Sequence, residues 1–99
     1  MQIKTLTTKN DLTYINNELA DGMYIDDDGD LYWYKKGKMH RDNDKPAVMY
    51  SSGYKAWFQN GLRHRDGNKP AIIRGNGDKL WYKNGVRYHA DIRNKYGSS

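Results

Sequence analysis

The sequence predicts a mainly β protein with one helix (α+β): an elongated antiparallel β-meander of three hairpin repeats, preceded by an N-terminal amphipathic helix. Its 99 residues suffice for one domain with a modest core, so a thin and partly open structure is expected. The main observation is an internal repeat, because tryptophans and glycines recur at one constant spacing. The recurring sets are Trp33, Trp57 and Trp81, then Gly37, Gly61 and Gly85, then Gly29, Gly53 and Gly77.

The repeat divides the chain into three segments. The first is an acidic strand and helix cap, the second contains the three 24-residue repeats, and the third is a short flexible tail. The segments are residues 1–28, residues 29–95 with repeats at 29–52, 53–76 and 77–95, and residues 96–99.

The N-terminal segment is expected to contain the helix, over residues 9–21. A short strand is expected before it, over residues 2–6. Thr8–Asp11 has the form of a capping box, with Thr at the N-cap and an acid three residues on, and Gly22 follows as a stop. An apolar stripe with spacing i, i+3 and i+7 completes the pattern: Leu12, Ile15 and Leu19.

The sequence predicts that each repeat consists of short strands joined by turns. Asn60-Gly61 is the strongest short hairpin signal available, Asn84-Gly85 repeats it, and Lys36-Gly37 replaces it in the first copy. A two-residue turn fixes the cross-strand pairs. On one face these pairs are Trp33 with His40, Trp57 with His64 and Trp81 with Tyr88. On the other they are Tyr34 with Met39, Phe58 with Arg63 and Tyr82 with Arg87.

The tryptophan face is expected to be the interior, because Trp is costly to leave in water. The structural residues of the repeat are then Trp33, Trp57, Trp81, His40, His64, Gly37, Gly61 and Gly85. The opposite face would be open and would bind a partner through Tyr34, Arg41, Phe58, Arg63, Arg65, Tyr82 and Arg87. The reverse assignment stays open, because several lysines share the parity of the tryptophans.

Charge is distributed unevenly along the chain. Residues 1–30 hold two basic and seven acidic side chains, for a net −5, whereas residues 31–99 hold fifteen basic and five acidic ones, for a net +10. A basic body of this kind favours an anionic partner, with nucleic acid first and acidic protein surfaces second. A solvated lysine surface that only maintains solubility is the alternative.

Several functional classes are disfavoured by composition. The chain has no cysteine, and hence neither a disulfide nor a thiolate metal site, and it shows no long apolar run and no signal peptide. A cytoplasmic protein without a cofactor or a transmembrane segment is expected. The acidic turn Asp26–Gly29 imitates part of a calcium loop, but Tyr24 then occupies the position that needs a carboxylate, so no metal is expected.

The repeat pattern resembles the variant MORN repeats found in bacteria, bacteriophages and large DNA viruses. The resemblance covers about residues 29–91, and Tyr88 and His89 depart from it where His and Arg are expected. It implies stacked β-hairpins in one elongated twisted sheet that serves as a binding scaffold, with no catalysis of its own. The residues that carry it are Trp57, Gly61, His64, Arg65, Pro70 and Ala71, with Trp33, Gly37, His40, Arg41, Pro46 and Ala47 before them.

The leading functional hypothesis is a non-catalytic module whose basic, aromatic-rich face binds RNA or other single-stranded nucleic acid. Rings can stack on unpaired bases while arginines contact phosphates, and an open sheet suits RNA better than B-DNA. The alternative is a small phage-type anti-defence protein, acting in the host cytoplasm, that binds and blocks a nuclease, toxin or defence factor. Open sheet edges would also allow a homodimer.

Catalysis is the third class. His40 and His64 beside Arg41 and Arg65 have the residue types of a ribonuclease site. A histidine that returns once per repeat and pairs with Trp is better explained as a buried, hydrogen-bonded structural residue. No enzyme is therefore expected.

Overall fold

A computed structural model describes residues 5–89, and this part of the chain contains only strands and turns. The expected mainly β, antiparallel architecture is confirmed, and the body is elongated, with principal extents of 57 × 27 × 20 Å. The predicted tail at 96–99 and the end of the third repeat after His89 lie outside the described residues.

Thirteen strands of two to five residues make up the described part. They are β1 (Leu6–Lys9), β2 (Leu12–Ile15), β3 (Glu18–Leu19), β4 (Gly22–Ile25), β5 (Leu31–Lys35), β6 (Lys38–Met39), β7 (Val48–Met49), β8 (Lys55–Ala56), β9 (Phe58–Gln59), β10 (Leu62–Arg63), β11 (Ile72–Ile73), β12 (Lys79–Lys83) and β13 (Val86–Tyr88).

The strands form one long sheet and two small ones. The long sheet runs in the order β13-β12-β11-β8-β7-β5-β4, with β6 paired to β5 beside this path. Strands β9 and β10 form a two-stranded sheet, and β1-β2-β3 form a three-stranded sheet at the N-terminal end. Every pairing is antiparallel, and the order of the long sheet follows the chain, with β6, β9 and β10 off its path, so the repeats follow one another along the sheet.

The predicted helix over residues 9–21 is wrong, because this segment contains the end of β1, then β2 and β3, with turns between them. Asn10, Asp11, Asn16 and Asn17 all have positive φ, between 53° and 70°. Two consecutive residues of positive φ make the tight turn that joins hairpin strands, and Asn and Asp adopt this conformation more readily than other side chains. Two such turns six residues apart leave no room for a helix.

The hairpin register within the repeats agrees with the sequence prediction. Tyr34 pairs with Met39, Phe58 with Arg63, and Tyr82 with Arg87. Trp57 separates β8 from β9 and bonds to two partners: its N–H donates to Ala71 O at 2.7 Å, and its carbonyl accepts from the His64 N–H at 3.0 Å.

The core lies on the face opposite to the tryptophans. Val48, Ala56 and Ile72 are buried and stand side by side across β7, β8 and β11, and Tyr32 and Leu80 extend the same row. Other partly buried side chains pack against this row, namely Met39, Tyr54, Phe58 and Tyr82. We call the surface formed by Tyr24, Tyr32, Tyr34, Tyr50, Tyr54, Phe58 and Tyr82 the aromatic face.

The predicted assignment of an interior and an open face is therefore wrong for the aromatic face. Tyr34, expected to be open, is only 6% exposed, and Phe58 packs against the core. Trp57 and His40 are buried as predicted, and the Trp57 indole contacts the loop residue Asp44 and the Arg65 guanidinium. In a sheet this thin, both faces take part in burial, and alternation alone does not distinguish them.

Gly37 shows why glycine is needed at the hairpin turns. Its φ is +82°, and a Cβ placed on it would lie 2.8 Å from Leu19 Cδ2 and 3.2 Å from Leu12 Cβ. Gly29 has the same φ, but nothing lies within 4 Å of its Cβ position. The two glycines thus separate the cost of the backbone conformation from the cost of close packing.

We expect Gly37→Ala to lower the free energy of unfolding more than Gly29→Ala. Both changes place a Cβ in a left-handed conformation, at a cost of roughly 1–2 kcal/mol. Only Gly37→Ala adds overpacking against the N-terminal sheet, worth about 1 kcal/mol more. Urea unfolding of the two variants measures the difference, and equal losses would contradict this role of Gly37.

Candidate binding surfaces

Each histidine of the repeat joins its own hairpin to the next one. His40 Nδ1 accepts the Asn60 N–H at 3.0 Å, and Nε2 lies 2.8 Å from Asp42 Oδ1. His64 repeats both contacts, with Asn84 and Asp66 at the same distances. Because Nδ1 accepts an amide proton, the ring proton lies on Nε2 and is donated to the carboxylate. The hydrogen bonds agree with the predicted structural role of these rings.

The glycine of each turn completes the joint. Gly61 N–H donates to Met39 O and Gly85 N–H to Arg63 O, both at 2.8 Å. The turn of the first repeat is bound to the N-terminal segment by similar hydrogen bonds. Gly37 N–H donates to Ala20 O at 2.8 Å, and Asp21 Oδ1 accepts the Lys36 N–H at 3.2 Å. The N-terminal hairpin is thus a divergent copy of the same unit, in which a carboxylate replaces the histidine.

The tryptophans bind the loop of the preceding repeat. Trp57 Nε1 donates to Asp44 O at 3.1 Å, and Trp81 Nε1 donates to Asn68 O at 3.0 Å. These indoles therefore link successive repeats on the face opposite to the core.

Arg41 and Arg65 lie against the tryptophans and not on an open face. Their guanidinium carbons lie 3.6 and 3.8 Å from the ring centroids of Trp33 and Trp57. Each also donates to the carbonyl of a proline in its own repeat, Pro46 or Pro70, at 3.1 Å. Both arginines therefore hold the loop over the indole, and the expectation that they project from an open face is wrong.

Asp44 is the charged centre of this loop region. It accepts hydrogen bonds from Arg65 Nε at 2.8 Å and from Lys69 Nζ at 2.9 Å. These bonds lower the pKa of Asp44 to about 2. A cleft of about 430 Å³ opens beside this group, lined by Asp42, Asp44, Trp57, His64, Arg65 and Lys69 among others.

The aromatic face carries exposed arginines at its C-terminal end. The Arg63 guanidinium carbon lies 5.9 Å from the Phe58 ring centroid and 5.5 Å from that of Tyr82. Arg87, also exposed, stands opposite Tyr82 in the hairpin. Of the predicted binding residues, Phe58, Arg63, Tyr82 and Arg87 are thus brought together. Tyr34 is buried, and Arg41 and Arg65 belong to the other face.

Three residues of this face were missed by sequence reasoning: Tyr50, Tyr54 and Arg74. The Tyr50 and Tyr54 rings stack with centroids 4.8 Å apart. Burial raises the pKa of Tyr54, and Arg63 and Arg74 oppose this shift, which places both cations near its ring. The signal that finds them is the turn glycine: Gly53 fixes a turn whose ends are Tyr50 and Tyr54, and Gly77 fixes one whose first residue is Arg74.

The N-terminal end of the aromatic face is acidic. Asp26, Asp28 and Asp30 each place a carboxylate oxygen within 4.8 Å of the others. Asp26 Oδ1 accepts the N–H groups of Asp28 and Asp30 at 3.0 Å, and Oδ2 accepts the Tyr32 hydroxyl at 3.1 Å. Burial acts to raise the pKa of Asp26, but these hydrogen bonds outweigh it, so the pKa is lowered. The carboxylate thus stays charged while it holds the turn.

Comparison with protein-family models, with curated proteins and with solved structures finds no match for this chain. Within residues 5–89, no helix is long and apolar enough to cross a membrane.

We expect His40→Ala to destabilise the protein by about 1–3 kcal/mol, because the Asn60 N–H then loses its acceptor at a buried joint. His64→Ala should cost less, since the hydrogen bond from the Asn84 N–H is exposed whereas that from the Asn60 N–H is partly buried. Thermal or urea unfolding measures both, with His89→Ala, at an exposed position, as the control. A loss for His40→Ala no larger than for His89→Ala would contradict the joint.

We expect the contribution of Asp44 to stability to disappear in acid. Its pKa is lower in the folded chain than the usual value of about 3.9 for an unfolded Asp, so the contribution is present above about pH 4 and is lost as the pH falls towards 2. Asp44 is 43% exposed, so the effect stays below about 1 kcal/mol. The stability difference between the native protein and Asp44→Asn should shrink over this interval in urea titrations, whereas a difference that is constant from pH 6 to pH 2 would contradict the ion pairs.

Proposed function

We propose that the protein is a non-catalytic binding module, and that the C-terminal end of its aromatic face binds single-stranded nucleic acid, RNA before DNA. The observation that carries this proposal is the group of exposed arginines beside half-buried rings, Arg63 and Arg87 with Phe58 and Tyr82. Arginine binds phosphate oxygens, and an aromatic ring stacks on any unpaired base.

The repetition of this group supports an extended ligand. The pair Phe58–Arg63 recurs as Tyr82–Arg87 in the next repeat, and the main path of the sheet advances by two strands between them. Two strands correspond to about 10 Å. A flexible single strand can follow such a step, whereas a B-DNA major groove is suited to a helix or a ribbon.

Catalysis finds no support in the arrangement of the histidines. Both ring nitrogens of His40 and of His64 are engaged, Nδ1 with the turn of the next repeat and Nε2 with an aspartate of its own repeat. A general base needs one nitrogen free to take a proton from the substrate. A scaffold role also agrees with what the resemblance to variant MORN repeats implies, and we place this activity in the cytoplasm, of the host cell if the protein is viral.

A second candidate, a protein that binds and blocks a host nuclease, toxin or defence factor, is favoured by the two signs of charge on one face. Acidic residues lie at one end of the aromatic face and arginines at the other. Complementary charge of both signs is typical of protein recognition, where it accelerates association and excludes wrong partners.

We expect Arg63→Gln and Arg87→Gln each to weaken binding of a short fluorescent RNA. Each variant should also lower the slope of the logarithm of the association constant against the logarithm of salt concentration by somewhat less than one. Lys55→Gln is the matched control, because Lys55 is exposed and pairs with Met49 and Ile73 on the other side of the sheet. Fluorescence anisotropy at two salt concentrations measures both quantities.

Two outcomes would count against the nucleic-acid proposal. One is an absence of RNA binding at low salt, and the other is equal weakening by Lys55→Gln and Arg63→Gln, which would indicate only net charge. Affinity capture from host lysate with and without nuclease then tests the second candidate, since a partner that survives nuclease and is lost with Arg63→Gln is bound as a protein.

A further inference from the structure

The N-terminal end of the aromatic face carries a continuous row of tyrosines outside the arginine group. The Tyr32 ring lies 6.1 Å from those of Tyr24 and Tyr50, and Tyr50 stacks on Tyr54 at 4.8 Å. Tyr50 is 39% exposed, so this row meets solvent. Tyr54 lies near Arg63 and Arg74 and belongs to the basic end, so we call Tyr24, Tyr32 and Tyr50 the tyrosine row.

Carboxylates adjoin this row directly. Asp26 Oδ2 accepts the Tyr32 hydroxyl, and Asp30 Oδ1 accepts the Ser51 N–H at 2.8 Å, next to Tyr50 in the chain. Burial and the hydrogen bond to Asp26 raise the pKa of the Tyr32 hydroxyl, and the nearby charges of Asp26 and Asp30 add to this shift. The rings at this end of the face and the carboxylates therefore lie side by side on one surface.

We propose that the tyrosine row, with Asp26, Asp28 and Asp30 beside it, binds the lysine side chains of a basic protein segment. An ammonium group over a tyrosine face is attracted by the ring quadrupole, and neighbouring carboxylates add charge complementarity. The extended methylene stem of lysine covers the rings while its charge remains close to the acids.

The geometry favours such an organic cation over a metal ion. Asp26 and Asp30 already use carboxylate oxygens to hold the two turns together. A divalent ion needs several oxygen ligands directed at one point. An ammonium group over the rings needs only the attraction of the ring quadrupole and of the nearby carboxylate charges. The rings, which a metal site would not use, then have a function.

The third repeat provides a natural comparison. The turn Asp26–Asp30 recurs as Tyr50–Tyr54 and again as Arg74–Asp78, with the same backbone hydrogen bonds. Asp78 is the counterpart of Asp30, but Arg74 stands at the other end of its turn, and no ring row accompanies it. Asp78→Asn thus removes an equivalent carboxylate outside the tyrosine row.

The test is an isothermal titration of the full chain with a short lysine peptide, and with the same peptide acetylated on its side chains. We expect binding of the lysine peptide alone. Tyr50→Ala and Asp28→Asn should each weaken it about three- to thirty-fold, the range that corresponds to a cation–π contact or a near charge, while Asp78→Asn leaves it unchanged within a factor of two. Both altered side chains are exposed, and circular dichroism checks that the variants fold.

Three results would overturn the proposal. The first is equal binding of the acetylated peptide, and the second is equal weakening by Asp78→Asn and Asp28→Asn. The third is self-association of the protein in sedimentation that Asp28→Asn abolishes, which would make a second copy the occupant. Arg63→Gln, which tests the nucleic-acid proposal, should leave peptide binding intact, so the two proposals fail separately.

Discussion

The structure depends on the joint by which each hairpin turn donates backbone N–H groups to the hairpin before it. Asn60 and Gly61 donate to His40 Nδ1 and Met39 O, and Asn84 and Gly85 repeat the arrangement one copy later. Together with the β7–β8 and β11–β12 pairings, the joint links hairpins that would be marginal as isolated two-stranded units. Stability is therefore a property of the neighbour contacts along a nearly one-dimensional array.

This joint gives a physical reason for the replacement of histidine by Tyr88 in the third repeat. Histidine occurs where another turn follows and must be bound, in the first and second repeats. Tyr88 replaces it in the third, and residues 5–89 contain no later turn that needs an acceptor. At the other end, Asp21 takes the same role for Lys36, so the N-terminal hairpin caps the array with a different side chain.

Much of the fold could be predicted from the sequence, because a 24-residue period and two-residue turns determine register. Every cross-strand pair predicted around the turn at Asn60-Gly61 and its two counterparts is observed. The N-terminal hairpins were missed, because Asn-Asp and Asn-Asn are weaker turn signals than Asn-Gly, and a helical stripe competed with them. The positions of Arg41 and Arg65 could not be predicted, since each guanidinium reaches an indole on the face that alternation had assigned to the interior.

The turns that contain Gly29, Gly53 and Gly77 share one backbone structure but carry different side chains. Gly29, Gly53 and Gly77 keep a positive φ and the same hydrogen bonds, while the residues at the turn ends change from Asp and Asp to Tyr and Tyr to Arg and Asp. The backbone hydrogen bonds of the three turns are the same whichever side chains stand at their ends, so these side chains can differ from copy to copy. Their variation gives the aromatic face an acidic end and a basic end. A uniform scaffold thereby acquires two surfaces of opposite sign, and the rings between them make the face continuous.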